Sequence, residues 1–196
     1  DGFLFDLYAL LEDTMYTFGP VPSRRLGRSL GINNIPPKVC SYSCVYCQVG
    51  RTYNFLTERR AFHDPERIIE NVEYRIRDLR RRDEKIDYLA FVPDGEPTLD
   101  VNLGLIIERL RPFEIPVAVI TNASLISDES VRDELSRADW VSLKIDSNIE
   151  PVWRKINRPH KTLDLDAILD GMLEFRKYYT GDLVTETMLI KDTNDR

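Results

Sequence analysis

The chain has 196 residues, 42% hydrophobic and 31% charged, with 27 Lys and Arg against 33 Asp and Glu for a formal charge of −6. That length can bury one real core without disulfide staples, and that apolar content excludes a disordered chain. No apolar run reaches the ~18–20 residues of a membrane span, the stretch from Asp1 to Leu11 lacks a signal peptide's basic region and cleavage site, and the mild acidity excludes strong non-specific nucleic-acid binding. These features predict a soluble cytoplasmic protein. Its three cysteines all fall between positions 40 and 47, and an odd, clustered set in a chain without an export signal is not a disulfide framework.

Residues 1–14 carry Asp1, Asp6, Glu12 and Asp13 and no basic residue. They read as an N-terminal extension ahead of Met15, with 15–196 as the core domain, although the apolar run 3–11 equally suits an edge helix. Ser29 to Asn34 is a first strand that delivers the chain to the cysteines. Asp64-Pro65 caps a helix whose apolar face is Ile68, Ile69, Val72, Ile76 and Leu79, closed by Arg80, Arg81 and Arg82 where positive charge suits the helix dipole. Ile86 to Val92 is a buried strand. Leu103, Ile106, Ile107 and Leu110 mark a second helix, Val117 to Thr121 a strand, and Ser127 caps a third helix bearing Val131 and Leu135. Trp140 to Ile145 is the next strand, Leu163 to Tyr178 a fourth helix, and Leu183 to Ile190 a last strand.

Strands alternating with helices of this length predict βαβ units and a parallel sheet, an α/β fold. In such sheets ligands gather at the carboxyl ends of the strands. On the Trp140–Ile145 strand and just past it, Ser142, Lys144 and Asp146 share one face, opposite Val141, Leu143 and Ile145. A buried polar triplet is costly unless it serves a ligand or, for Lys144 and Asp146, forms an internal ion pair. There is no Gly-x-Gly-x-x-Gly or P-loop to support a nicotinamide or nucleoside-triphosphate site.

The segment Val39-Cys40-Ser41-Tyr42-Ser43-Cys44-Val45-Tyr46-Cys47-Gln48 lets one loop aim three thiolates at a common point. Structural zinc wants four ligands, and His63 or His160 would have to complete the set without a tight knuckle spacing. A thioredoxin-type pair would use Cys44 and Cys47 and leave Cys40 idle. A cubane iron–sulfur cluster fits better, because three thiolates hold three irons and leave the fourth open.

Cys-x3-Cys-x2-Cys with Tyr46 before the last cysteine resembles the signature of the radical S-adenosylmethionine (radical SAM) enzymes. The resemblance implies a partial parallel (β/α) barrel and a [4Fe-4S] cluster on Cys40, Cys44 and Cys47. It also implies S-adenosylmethionine as cofactor, and a reductant of the flavodoxin or ferredoxin type. The reduced cluster would cleave the cofactor to methionine and a 5′-deoxyadenosyl radical, which abstracts hydrogen from a substrate that is a small molecule, RNA or protein. Pro93-Asp94-Gly95-Glu96-Pro97-Thr98-Leu99 is similar to the family's Gly-Gly-Glu segment, with Asp94 in place of the first glycine. Gly95 and Glu96 would receive the cofactor's ammonium group, Lys144 its carboxylate, and Asp146 or Ser142 its ribose. Tyr46 and Asn122, at the loop and at a strand end, complete the expected cofactor-binding set.

Phe18-Gly19-Pro20-Val21-Pro22-Ser23-Arg24-Arg25-Leu26-Gly27, with Gly95-Glu96-Pro97-Thr98, resembles a prokaryotic branch related to the wyosine-forming tRNA synthases. Those carry extra cysteines that this chain lacks. Glycyl-radical activases are a second comparison, through Ser142-Leu143-Lys144 and Lys191-Asp192-Thr193-Asn194-Asp195. Arg24, Arg25, Arg28 and Arg51 flank the cluster loop and are candidates for an anionic substrate. The familiar core has six βα units, so about five are expected here. Two other functions suit parts of the sequence: an iron–sulfur electron carrier or sensor without cofactor cleavage, and a zinc-stabilised binding module.

Overall fold

The computed structural model describes residues 16–195, and the extension expected over 1–14 lies outside them. Strands β1 (Thr17–Ser23) and β2 (Gly27–Ile32) form an antiparallel hairpin. A short parallel pair, β3 (Val39–Cys40) and β4 (Asn54–Phe55), brackets the cysteine loop. The chain continues through α1 (Pro65–Arg81), β5 (Tyr88–Phe91), α2 (Leu103–Leu110), β6 (Val117–Thr121), α3 (Glu129–Leu135) and β7 (Trp140–Lys144). It ends with α4 (Glu150–Asn157), α5 (Leu165–Tyr178) and β8 (Asp182–Glu186). The main sheet has the order β1-β2-β5-β6-β7-β8, with every pair after the first parallel. This is the predicted α/β architecture, a partial parallel barrel.

Local chemistry explains most of these elements. The Asp64 carboxylate accepts from the Glu66 amide at 3.0 Å at the start of α1, with Pro65 in the first turn and Arg80 and Arg81 in the last. The predicted cap at Ser127 moves by one residue: Asp128 accepts from the Ser130 amide at 2.8 Å and starts α3. α5 begins at Leu165 rather than 163, because Asp164 caps it through the Ala167 amide at 2.9 Å. β8 ends at Glu186, short of the expected Ile190. The Met188 amide turns out of the ladder to the Asp146 carboxylate at 2.7 Å, and the Thr187 hydroxyl takes the Ile145 carbonyl.

Two elements escaped the sequence pattern. β1 carries Pro20 and Pro22, and proline is tolerated in a sheet at an edge strand, which β1 is. α4 is a short helix starting at Glu150-Pro151 that carries only Trp153 and Ile156 as buried apolar residues.

The sheet has two unlike faces. Leu30, Ile32, Leu89, Phe91, Val119, Val141 and Leu143 turn outward into the main core with the helices. The inner face carries a second, smaller cluster, in which Leu26 packs with Ala90, Ala118 and Trp140. Alternation therefore puts Ser142 and Lys144 on the inner face with Trp140.

Candidate functional site

The carboxyl ends of β5, β6 and β7 converge on the cysteine loop. The Lys38 amide donates to the Asp94 carbonyl at 2.8 Å, and the Glu96 amide to the Val39 carbonyl at 3.0 Å. The strand-end segment after β5 is thus zipped to the strand that enters the loop. Gly95 makes this possible: a Cβ there would lie 2.1 Å from the Val39 carbonyl oxygen.

Glu96 is 1% exposed, and its carboxylate is saturated by neutral donors. One oxygen accepts from the Thr98 amide at 3.1 Å and from the hydroxyls of Thr98 at 2.5 Å and Thr121 at 2.6 Å. The other accepts from the Asn122 amide at 2.7 Å. Burial pushes its pKa up, while these donors pull it back. The carboxylate therefore ties the ends of β5 and β6 together.

Asn122 passes this order to the loop. Its side-chain amide donates to the Ser41 hydroxyl at 2.9 Å and to the Cys40 sulfur at 3.5 Å, and its oxygen takes the Ser124 amide at 2.9 Å. On the other flank the Asn157 side chain donates to the Cys44 sulfur at 3.4 Å and to Asp146 at 2.6 Å. Asp146 also accepts from the Tyr46 hydroxyl and is 3% exposed. Burial, with the neighbouring Cys44 and Asp146, pushes the Tyr46 pKa up and keeps it a phenol donor. Lys144 lies over the Tyr46 ring, its ammonium 4.9 Å from the centroid.

Tyr46, Gly95, Glu96, Asn122, Lys144 and Asp146 are thus linked by contacts to the cysteine loop, whereas Ser142 lies further back along β7 and touches none of them through a hydrogen bond. No Lys144–Asp146 ion pair is present among the described residues: Lys144 takes the ring and Asp146 takes neutral donors. Ser142 is 1% exposed, and its hydroxyl has no hydrogen-bond partner among the described residues. Sequence reading missed Asn157 as a candidate site residue, and placed Thr121 only as the strand end before Asn122. Asn157 ends a helix without a strong apolar stripe, and Glu150-Pro151 was the signal that a helix started there.

The donor set can be tested against a cluster. Cys40, Cys44 and Cys47 line one cavity of about 120 Å³ with Lys38, Asp94 and Gly95 on its other walls. Among the described residues no three His, Cys, Asp or Glu side chains converge on a single metal ion. Neither imidazole lines the cavity of the thiols: His63 packs edge-on to Tyr16 with ring centres 5.1 Å apart, and the His160 ring bonds Thr162 at 2.8 Å and packs on Phe55, although the His160 backbone amide donates to the Ser41 carbonyl at 2.9 Å. Three soft donors spread around a cavity, two of them receiving N–H···S bonds, fit a polynuclear iron–sulfide group. Burial and the Glu96 charge push the Cys40 thiol up to about 12, and burial also raises Cys44. Ligation of a metal by these sulfurs would therefore release protons.

Residues 34–196 match the radical SAM superfamily, and the chain belongs to it. The most similar relatives include a UPF0026 protein of Methanocaldococcus jannaschii, 62% identical over 173 residues, a match covering 88% of this chain and 53% of that protein. The chain thus spans about half of that relative's length. Among solved structures, TYW1 with a lysine-pyruvate adduct bound superposes with a TM-score of 0.60 at 16% identity, covering 94% of this chain and 61% of TYW1. Streptococcus suis SuiB bound to S-adenosylmethionine gives 0.56 at 16% identity, over 81% of this chain and 33% of SuiB. At such identities the two structures bear on the fold alone. No described helix is long and apolar enough to cross a membrane.

Proposed function

We propose that this protein is a radical SAM enzyme in which Cys40, Cys44 and Cys47 hold a [4Fe-4S] cluster and the ends of β5, β6 and β7 hold S-adenosylmethionine. The observation that carries this reading is the shared cavity of the three thiols, walled by Gly95 and tied through Asn122 to Glu96. When bound, the cluster and cofactor supply reductive cleavage to methionine and a 5′-deoxyadenosyl radical, with an electron from a reductant of the flavodoxin or ferredoxin type. The chain's own residues bind, orient and exclude. Lys144 offers a half-buried cation to a carboxylate, and Ser142 offers a hydroxyl without an internal partner.

Tyr46, Asn157 and Asp146 form a buried hydrogen-bonded wall beside Cys44 that holds the loop in place. Glu96 acts from behind the cavity: four neutral donors hold its charge, and its contribution is the geometry of Gly95 and Asn122. The test is anaerobic reconstitution with iron and sulfide, followed by dithionite and S-adenosylmethionine. The expected products are 5′-deoxyadenosine and methionine. About four irons per chain without 5′-deoxyadenosine would instead support an electron carrier. Cys44→Ala should lose the brown chromophore and most of its iron, and full iron content in that variant would refute the ligand assignment.

A further inference from the structure

The inner face of the sheet holds a chamber that neither the cysteine loop nor the strand-end polar residues use. The turn between β1 and β2 folds over this face, and Leu26, 3% exposed, plugs it against Ala90, Ala118 and Trp140. Beside the plug opens a cavity of about 310 Å³ whose lining includes Ser23, Arg24, Arg25, Ile120, Trp140 and Glu186. Arg25 forms an ion pair across the chamber with Glu186 of β8, while Arg24 has no ion pair among the described residues. The walls therefore carry two guanidinium groups against one carboxylate, a local positive surplus in a chain of net charge −6.

The four arginines singled out in the sequence separate here. Arg28 is committed on the outside, bonded to Glu84 at 2.6 Å, and Arg51 is an exposed residue of the cysteine loop. Arg24 and Arg25 alone line the chamber. Its remaining surface is Ser23, whose hydroxyl oxygen accepts the Arg25 and Leu26 amides at 3.3 and 3.2 Å, and the apolar side chains of Trp140, Ile120 and Leu26. Alanine at 90 and 118 keeps side-chain bulk low on the same face. Further along β7 on this face come the unpartnered Ser142 hydroxyl and then Lys144, so the chamber leads toward the site at the strand ends.

We propose that this chamber is the substrate site and that the substrate is a small organic acid. Its carboxylate or phosphate is held by Arg24 and Arg25, and its apolar body lies on Trp140 and Ile120. A planar guanidinium matches either anion through paired N–H donors, and the volume falls at the lower end of the ~300–1,000 Å³ of small-molecule pockets. The proposal rests on the enzyme reading above for the word substrate, but the anion site stands on the chamber's own geometry.

The test uses anaerobically reconstituted protein, with iron content and 5′-deoxyadenosine formation measured on the same preparation. Calorimetry with phenylphosphate, phenylacetate and the neutral 2-phenylethanol then reads binding, and tryptophan fluorescence reads contact with Trp140. At least one of the two anions should bind saturably and change the fluorescence, at least about tenfold tighter than the alcohol. Arg24→Gln and Arg25→Gln should each weaken it by about tenfold or more, while Arg77→Gln on the outer surface of α1 leaves it unchanged. Which anion binds more tightly tells a carboxylate substrate from a phosphate one. Thermal melts of the variants exclude unfolding as the cause.

Failure of both anions to bind, equal binding of the alcohol, or wild-type affinity in Arg24→Gln overturns the chamber. A preparation that forms 5′-deoxyadenosine but binds neither anion overturns this inference and spares the enzyme reading. One that binds an anion and never cleaves the cofactor does the reverse.

Discussion

The side-chain amide of Asn157 donates to the Cys44 sulfur at 3.4 Å while holding the Asp146 carboxylate at 2.6 Å. One amide thus joins a candidate cluster ligand to a buried acid from β7's end. N–H···S bonds stabilise the more negative, reduced form of a thiolate-bound cluster. Asn157→Leu, which removes the donor, should therefore shift the cluster's midpoint potential in the negative direction in a redox titration followed by electron paramagnetic resonance. An unmoved potential at full iron content would show that the contact has no electronic weight.

Glu96 makes a different prediction. Glu96→Ala leaves the Thr98, Thr121 and Asn122 donors without their acceptor in a buried place, at a cost of about 2 kcal/mol or more. Urea denaturation should show that loss, and calorimetry should show weaker S-adenosylmethionine binding, because Asn122 loses its anchor. A variant as stable as the parent would remove Glu96 from its place at the join of β5 and β6.

Gly95 has no room for a side chain, because the Val39 carbonyl occupies the Cβ position at 2.1 Å. Gly95→Ala must push the strand-end segment away from the loop, with an expected cost of about 1–3 kcal/mol. It should also reduce iron retention during gel filtration. Wild-type retention would mean that the two backbones need not touch.

Asp100 gives a pH dependence. Burial pushes its carboxyl up to about 6, against donors from Asn102 and Asn34. The folded state thus holds a proton that the unfolded chain has released, so this group's contribution to stability falls as pH rises from about 4 through 6. Asp100→Asn lacks that penalty, and its stability relative to the parent should grow between pH 4 and pH 7 by up to about 3 kcal/mol. Parallel denaturation curves at the two pH values would contradict this.

The legible parts of the sequence were those where one local force dominates. The apolar stripe of α1 and its Asp64-Pro65 start required that helix, and the runs 86–92 and 117–121 had no alternative to buried strands. The cysteine spacing pointed to the loop, and alternation along β7 placed Ser142 and Lys144 on one face. What the sequence left open or missed depended on partners brought in by the fold. Lys144 and Asp146 face the same region, but the Tyr46 ring and the Asn157 amide offer better partners than each other, and neither lies nearby in sequence. Asn157 itself was invisible for the same reason. Glu96 was legible as a candidate site residue but not as one already satisfied, since its four donors come from Thr121, Asn122 and, twice, from Thr98 in a turn that forms only in the fold.

The short pairing of Val39 with Asn54 and Cys40 with Phe55 has a consequence for how the centre is made. The two ends of the cysteine loop are tied by backbone bonds, and the Ser43 and Val45 amides are held by α4 at 3.0 and 2.9 Å. The entropy of closing the loop is therefore met by the polypeptide, unlike in a zinc finger, where the metal meets it. On the proposed reading, assembly of the cluster would be a late, reversible insertion into a finished scaffold, and a chain stripped of iron should keep its fold and accept a new cluster.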